Sequence, residues 1–210
     1  HVSFGTSGSD AVDAAIRVVY QHHRATGHPE KTGFVTLKRG FHGTTWATLG
    51  TSGFRIRDEM FPMFGGTYIL GPWVVDPSIT TPEQAREALA MEKIEWKAIA
   101  GFLFEPVQGV GGIRPINPLC YRAITEMCRQ HRVLIVADEV TTGFGRTGRF
   151  LATEILDSRP DMVTLGKGMS NGEFPLSAVL LTAGIWKTLD LMKPNPNKYL
   201  FGSTHAGHPT

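Results

Sequence analysis

Cysteine is scarce: only Cys120 and Cys128 occur among the 210 residues. Two thiols on one predicted helix make no disulfide framework and read as reduced, buried groups, which points to a reducing, cytoplasmic compartment. Long apolar runs are also missing, none approaching the ~18 residues needed to cross a bilayer. No basic stretch leading into an apolar one opens the chain, so neither a membrane partner nor a secretory leader is expected. Runs of like charge are absent as well. Lys and Arg number 21 against 19 Asp and Glu, a net of +2, which leaves no electrostatic footprint for nucleic acid. With 41% hydrophobic and 19% charged residues, the composition excludes disorder and fibre. The chain starts without Met at His1-Val2-Ser3-Phe4 and stops at His208-Pro209-Thr210; it reads as a segment of a longer protein.

What is present is an alternation of helical and strand patterns. Gly8 or Ser9 can cap a helix to about Arg24, with Ala11, Ala15, Ile16, Val18 and Val19 on one broad face. Thr81-Pro82-Glu83-Gln84 has the hydroxyl, proline and glutamine of a capped start for a helix to about Lys93. Asn117-Pro118 opens another to about Gln130. A strand is expected at Phe34 to Leu37, and buried parallel strands at Ala98 to Phe104, Val133 to Ala137 and Met162 to Gly166. The stretch from Gly50 to Pro82 has no clear periodicity and reads as a long functional or interface loop. Lys193 to Lys198 reads as a mobile surface loop. Neither a repeat nor a linker is visible. Together these features predict an α/β fold of three layers, α/β/α, around a mostly parallel sheet. Ligands of such sheets sit at the carboxyl ends of the strands, where Glu105, Asp138 and Lys167 fall.

A carboxylate and a lysine at neighbouring strand ends are most simply a salt bridge; their neighbours change that reading. Thr6-Ser7-Gly8-Ser9-Asp10 opens a helix and gathers free N–H groups, hydroxyls and the positive end of the helix dipole, as phosphate binding requires, although alone it is only a cap. Phe41-His42-Gly43 sets an aromatic ring beside a flexible joint. A lysine for a Schiff base, an acid for a pyridine nitrogen, a helix cup for phosphate and a ring to stack are the parts of a pyridoxal phosphate (PLP) site.

The run Ala137-Asp138-Glu139-Val140-Thr141-Thr142-Gly143-Phe144-Gly145-Arg146-Thr147-Gly148, with Thr164-Leu165-Gly166-Lys167-Gly168 beyond it, closely resembles the class III aminotransferases, PLP enzymes of fold type I. Thr6 to Ala11, Gly40-Phe41-His42-Gly43, Glu105 to Gly109 with Gly111-Gly112, and Gly202-Ser203-Thr204 extend the resemblance over nearly the whole chain. It implies that Lys167 bonds covalently to the cofactor and shuttles a proton, and that Asp138 keeps the pyridine nitrogen protonated. It further implies that Gly8 and Ser9 bind phosphate, that Phe41 and Val140 cover the two ring faces, and that Glu105 stands behind the site. Thr204 is expected to reach the phosphate of a neighbouring subunit, hence a homodimer.

Two positions depart from the family pattern. Thr141 stands where many members carry a Gln that contacts the cofactor's phenolic oxygen, and Phe41 stands where Tyr is common. Members are about twice as long, so the chain corresponds to the cofactor-binding large domain, residues 1–210, without the N-terminal segment and C-terminal small domain. The activity implied is transfer of an amino group from an amine or amino acid to a 2-oxo acid or aldehyde by a ping-pong route. An aminomutase or decarboxylase on the same scaffold, or a silent cofactor-binding fragment, shares these motifs. A nucleotide-binding module is the reading from another class, but neither of its glycine-rich phosphate loops follows the first strand.

Elsewhere, the adjacent His22 and His23 read as surface residues, and His205 and His208 make only two metal ligands, so no metal is expected. His42, besides lying in the cofactor motif, reads as a structural hydrogen-bonding residue. Arg146 reads as a loop-fixing residue, and Trp46, Phe64 and Trp73 as core or active-site wall.

Overall fold

The computed structural model describes residues 1–54 and 66–190. Thr204, His205, His208, Phe64 and the 193–198 stretch lie outside the described residues. Seven strands form one sheet: β1 (Val2–Gly5), β2 (Gly33–Leu37), β3 (Thr67–Leu70), β4 (Ile99–Phe104), β7 (Leu134–Asp138), β8 (Met162–Leu165) and β9 (Ser177–Leu181), in the order β1-β9-β8-β7-β4-β2-β3. The pairs from β8 through β3 are all parallel, and only β9 runs against its neighbours. A two-stranded ribbon, β5 (Val107–Gln108) with β6 (Arg114–Pro115), stands apart.

Helices cover both faces. On one side α1 (Gly8–Ala25) and α5 (Ala183–Asp190) bury Val12, Ile16, Val19, Ile185 and Leu189 against Phe34, Leu103, Val136 and Val179. On the other, α3 (Pro82–Ala90) and α4 (Pro118–Gln130) bury Ala85, Leu89, Cys120 and Ile124 against Val35, Phe102, Phe104 and Ile135. The period of 2 along each strand deals side chains to the two layers in turn. A short α2 (Trp46–Thr51) follows the β2 turn. The expected three-layer α/β/α fold is therefore the observed one. Both cysteines are free and buried, and no described helix is long and apolar enough to cross a membrane.

The structure corrects several local expectations. The helix opening at Thr81 carries the expected capping box but stops at Ala90, because Lys93 takes φ 50° and turns the chain into the left-handed region. The 50–82 stretch is not wholly irregular: it holds β3, paired along its whole length with β2, and a 3₁₀ turn at Pro72–Val75. His23 is no surface residue. It is 1% exposed and hydrogen-bonds the Ala100 carbonyl at 2.8 Å, while His22 is half-buried against Thr188. Trp46 is half-exposed and belongs to neither core nor pocket wall. Trp73 packs at the core edge and donates to Glu92 at 2.6 Å.

Candidate active site

Parallel strands deliver their carboxyl ends to one edge, and there the motif residues meet. Asp138 ends β7, Glu105 follows β4, Lys167 follows β8, and the Phe41 turn follows β2. The start of α1 is brought to the same edge by β1, which runs parallel to β8 across β9. Gly8, Ser9, Phe41, His42, Gly43, Asp138, Val140, Thr141 and Lys167 line a single pocket of about 180 Å³.

Asp138 is the buried anion of this pocket. Its Oδ2 accepts from His42 Nδ1 at 2.8 Å, and its Oδ1 accepts from Thr164 Oγ1 at 3.1 Å and Val140 N at 3.2 Å. Because a carboxylate only accepts, Nδ1 carries a hydrogen toward Asp138, and Nε2 lies in hydrogen-bond contact with Thr36 Oγ1 at 3.1 Å. The resulting row, Thr36 to His42 to Asp138, spans β2 to β7 and is buried throughout.

Lys167 leaves β8 in the left-handed region at φ 39°, a costly conformation for a residue with a side chain. Its Nζ donates to Thr141 Oγ1 at 2.7 Å. At the start of α1, Ser7 takes the N–H groups of Asp10, through its side chain, and of Ala11, through its carbonyl. The N–H groups of Gly8 and Ser9 have no partner among the described residues, at the positive end of an 18-residue helix. Ser9 Oγ accepts from Thr44 N at 3.1 Å, which leaves the hydroxyl hydrogen free to be donated.

Close packing holds these parts together. A Cβ on Gly8 would come within 2.7 Å of Val140 Cγ1, and one on Gly43 within 2.5 Å of Ser9 Oγ. Glu105 sits behind the pocket lining, 3% exposed, with both oxygens turned to backbone N–H groups. Burial pushes its carboxyl above the usual carboxylate range, partly offset by His42 and the two N–H donors.

Residue-level reading of the sequence did not anticipate the anchoring role of Glu139. Next to Asp138 it points the other way and is fully buried. There it accepts from Thr142 Oγ1, Ala152 N and Thr153 N, tying down the glycine-rich loop. An acidic pair at a strand end was the available signal, since alternate residues face opposite sides. Arg146 is exposed within that loop and does not line the pocket.

The chain spans about half the length of the curated relatives it matches. It is 35% identical to "Uncharacterized aminotransferase YodT" of Bacillus subtilis, over 98% of this chain and 48% of that protein. To the putrescine–pyruvate aminotransferase of Pseudomonas aeruginosa it is 30% identical, over 100% of this chain and 47% of that one. Among solved structures, a transaminase from the marine bacterium Virgibacillus superposes with a TM-score of 0.86 at 33% identity, covering 99% of this chain and 46% of that one. A PMP-bound aminotransferase from Vibrio fluvialis gives 0.86 at 29% identity, covering 99% and 48%. The family model "Aminotransferase class-III" matches residues 1–210. Strand order, pocket and comparisons agree, and the chain belongs to the class III aminotransferase family.

Proposed function

We propose that this chain is the cofactor-binding large domain of a PLP-dependent transaminase, moving an amino group from an amine or amino acid to a 2-oxo acid or aldehyde. One observation carries the reading: a lysine amine, a buried carboxylate and the start of α1, with the Gly8 and Ser9 N–H groups left for a ligand, line the same pocket. Bound PLP supplies an aldehyde carbon for an amine to attack and a pyridine ring that withdraws electrons.

The residues fit that group. Asp138 accepts three hydrogen bonds, and a carboxylate offers about four acceptor sites, so one remains for a pyridine N–H. His42 and Thr36 hold that carboxylate in orientation. Gly8 and Ser9 supply two N–H groups and a hydroxyl for a phosphate, where the glycine lets the backbone approach closely. Phe41 and Val140 would cover the two ring faces.

Lys167 would serve first as the attachment point and then, as free amine, as the base that takes a proton from the substrate carbon and returns it. Thr141 Oγ1 receives one Nζ hydrogen and so restricts where the amine points. Thr204 is proposed to reach the phosphate of a neighbouring subunit, which makes the active unit a homodimer in the cytoplasm.

The test is an absorbance spectrum of the intact protein with added PLP, beside Lys167→Ala. The unmutated protein is expected to show a borohydride-reducible band near ~400 nm, and the variant to lose it. A folded parent with no such band removes the reading. A new oxo product from an amine donor then separates transamination from amino-group migration and decarboxylation.

A further inference from the structure

The turn 38–43, which lines the pocket through Phe41, His42 and Gly43, and the segment 105–112 behind it follow strands β2 and β4 and lie against each other. Gln108 Nε2 donates to the Lys38 carbonyl at 2.8 Å. A Cβ on Gly111 would approach the Arg39 carbonyl to 2.6 Å, so the two backbones touch. Glu105 makes the third link: Oε1 accepts from Phe41 N and Oε2 from Gly109 N, each at 2.9 Å. Gly109 in turn packs on Thr141, whose Cγ2 lies 3.0 Å from where a Cβ on Gly109 would stand.

We propose that Glu105 is a positioning residue: its single buried carboxylate fixes the Phe41 ring and, through Gly109, the Thr141 hydroxyl that receives Lys167. The proposal deepens the cofactor reading above and rests on it only for the consequence, a site set up before PLP arrives. The link itself belongs to the cofactor-free protein.

The chemistry of the side chain explains why a carboxylate is needed. Two N–H groups converge from different turns, and only a carboxylate presents an accepting oxygen to each. An amide of the same shape presents one oxygen and one NH₂, and the NH₂ must face an N–H. Burial disfavours the charge, so an apolar side chain would pack here at lower desolvation cost. What the carboxyl group provides is the two-sided link. Released, the Phe41 ring keeps its own turn and, among the described residues, edge-on contact with Phe54, at 6.3 Å between centroids.

Site-resolved amide exchange by NMR on the intact cofactor-free protein tests the link, and PLP titration followed by absorbance tests its consequence. In the unmutated protein the Phe41 and Gly109 amides are expected to be protected; free exchange at both overturns the proposal without any variant. In Glu105→Gln, at least one of the two should exchange about tenfold faster or more, and PLP should bind about tenfold more weakly. Amides of Ile124 and Val136, deep in the two layers, should keep their rates. A merely structural role would move those core amides as well. Unchanged exchange at both 41 and 109 in the folded variant overturns the proposal, as does unchanged PLP affinity where the parent binds. Should the parent bind no PLP, the cofactor reading fails by itself and the amide data still decide the link.

Discussion

Gly8 leaves no room for a methyl group. A Cβ there would lie 2.7 Å from Val140 Cγ1, and the neighbouring Gly166 would place its own Cβ 3.3 Å from the same atom and 3.7 Å from the Gly8 Cα. Glycine at residue 8 therefore lets the start of α1 rest directly on the end of β7, close enough for its N–H groups to face the pocket. In Gly8→Ala the helix start must back away, at a cost of about 1–3 kcal/mol from overpacking. PLP affinity should fall with it. Urea denaturation checks the first effect, and Val140→Ala combined with Gly8→Ala should recover much of the loss. Simple additivity of the two changes would show that the contact is not the cause. The motifs made Gly8, Ser9, Asp138 and Lys167 legible from sequence alone. The row Thr36, His42, Asp138 and the pair Thr141, Lys167 were not, because each joins residues far apart in sequence that only the folded sheet brings together.

Elements were legible where local chemistry writes their ends. Thr81 to Gln84 forms its capping box, and Asn117-Pro118 starts α4 as expected. Four-residue β3 and the equally short edge strand β1 are too brief to show a strand period, and their identity as strands comes from pairing with β2 and β9. Asn117 also does more than cap. Its Oδ1 accepts from Leu119 N at 2.9 Å, while Nδ2 donates to the carbonyls of Asp76 at 2.8 Å and Ile79 at 2.9 Å. One amide thus starts α4 and closes the turn that leads into α3. Asn117→Ala should cost about 2 kcal/mol from the cap and the unpaired carbonyls. Asn117→Asp separates the two contributions: aspartate caps as well as asparagine, yet it would set a carboxylate against two carbonyl oxygens. The aspartate variant should be at least as destabilised as the alanine one in thermal denaturation. If it matches the parent, the turn contacts contribute nothing.

At the scale of the whole molecule, the layered fold was legible from alternation of helix and strand patterns, but the seat of α1 on the sheet was not. His23 sits beside His22 in a polar stretch, and only the tertiary placement of the helix end buries it under β4. Its Nε2 donates to the Ala100 carbonyl, so Nδ1 is a bare lone pair, buried and without a partner among the described residues. Protonation would create an N–H there with nothing to accept it, and burial holds this imidazole down at about 4. In the unfolded chain the same group titrates near 6.5. Above that value both states are neutral and His23 has no pH dependence. Between the two values the unfolded chain binds the proton and the folded one does not, so stability falls as the pH drops, by about 2 kcal/mol at pH 5. His22 is shifted down by burial and acts in the same sense. The raised carboxyl of Glu105 acts in the opposite sense at mildly acidic pH, so the total slope alone does not report His23. A comparison with His23→Gln does, because glutamine can still donate to the Ala100 carbonyl and never titrates. Chemical denaturation of both proteins at pH 7 and pH 5 should show the parent losing about 2 kcal/mol more than the variant over that interval. Equal losses would place the acid sensitivity elsewhere and show that the contact between α1 and β4 survives a charged imidazole.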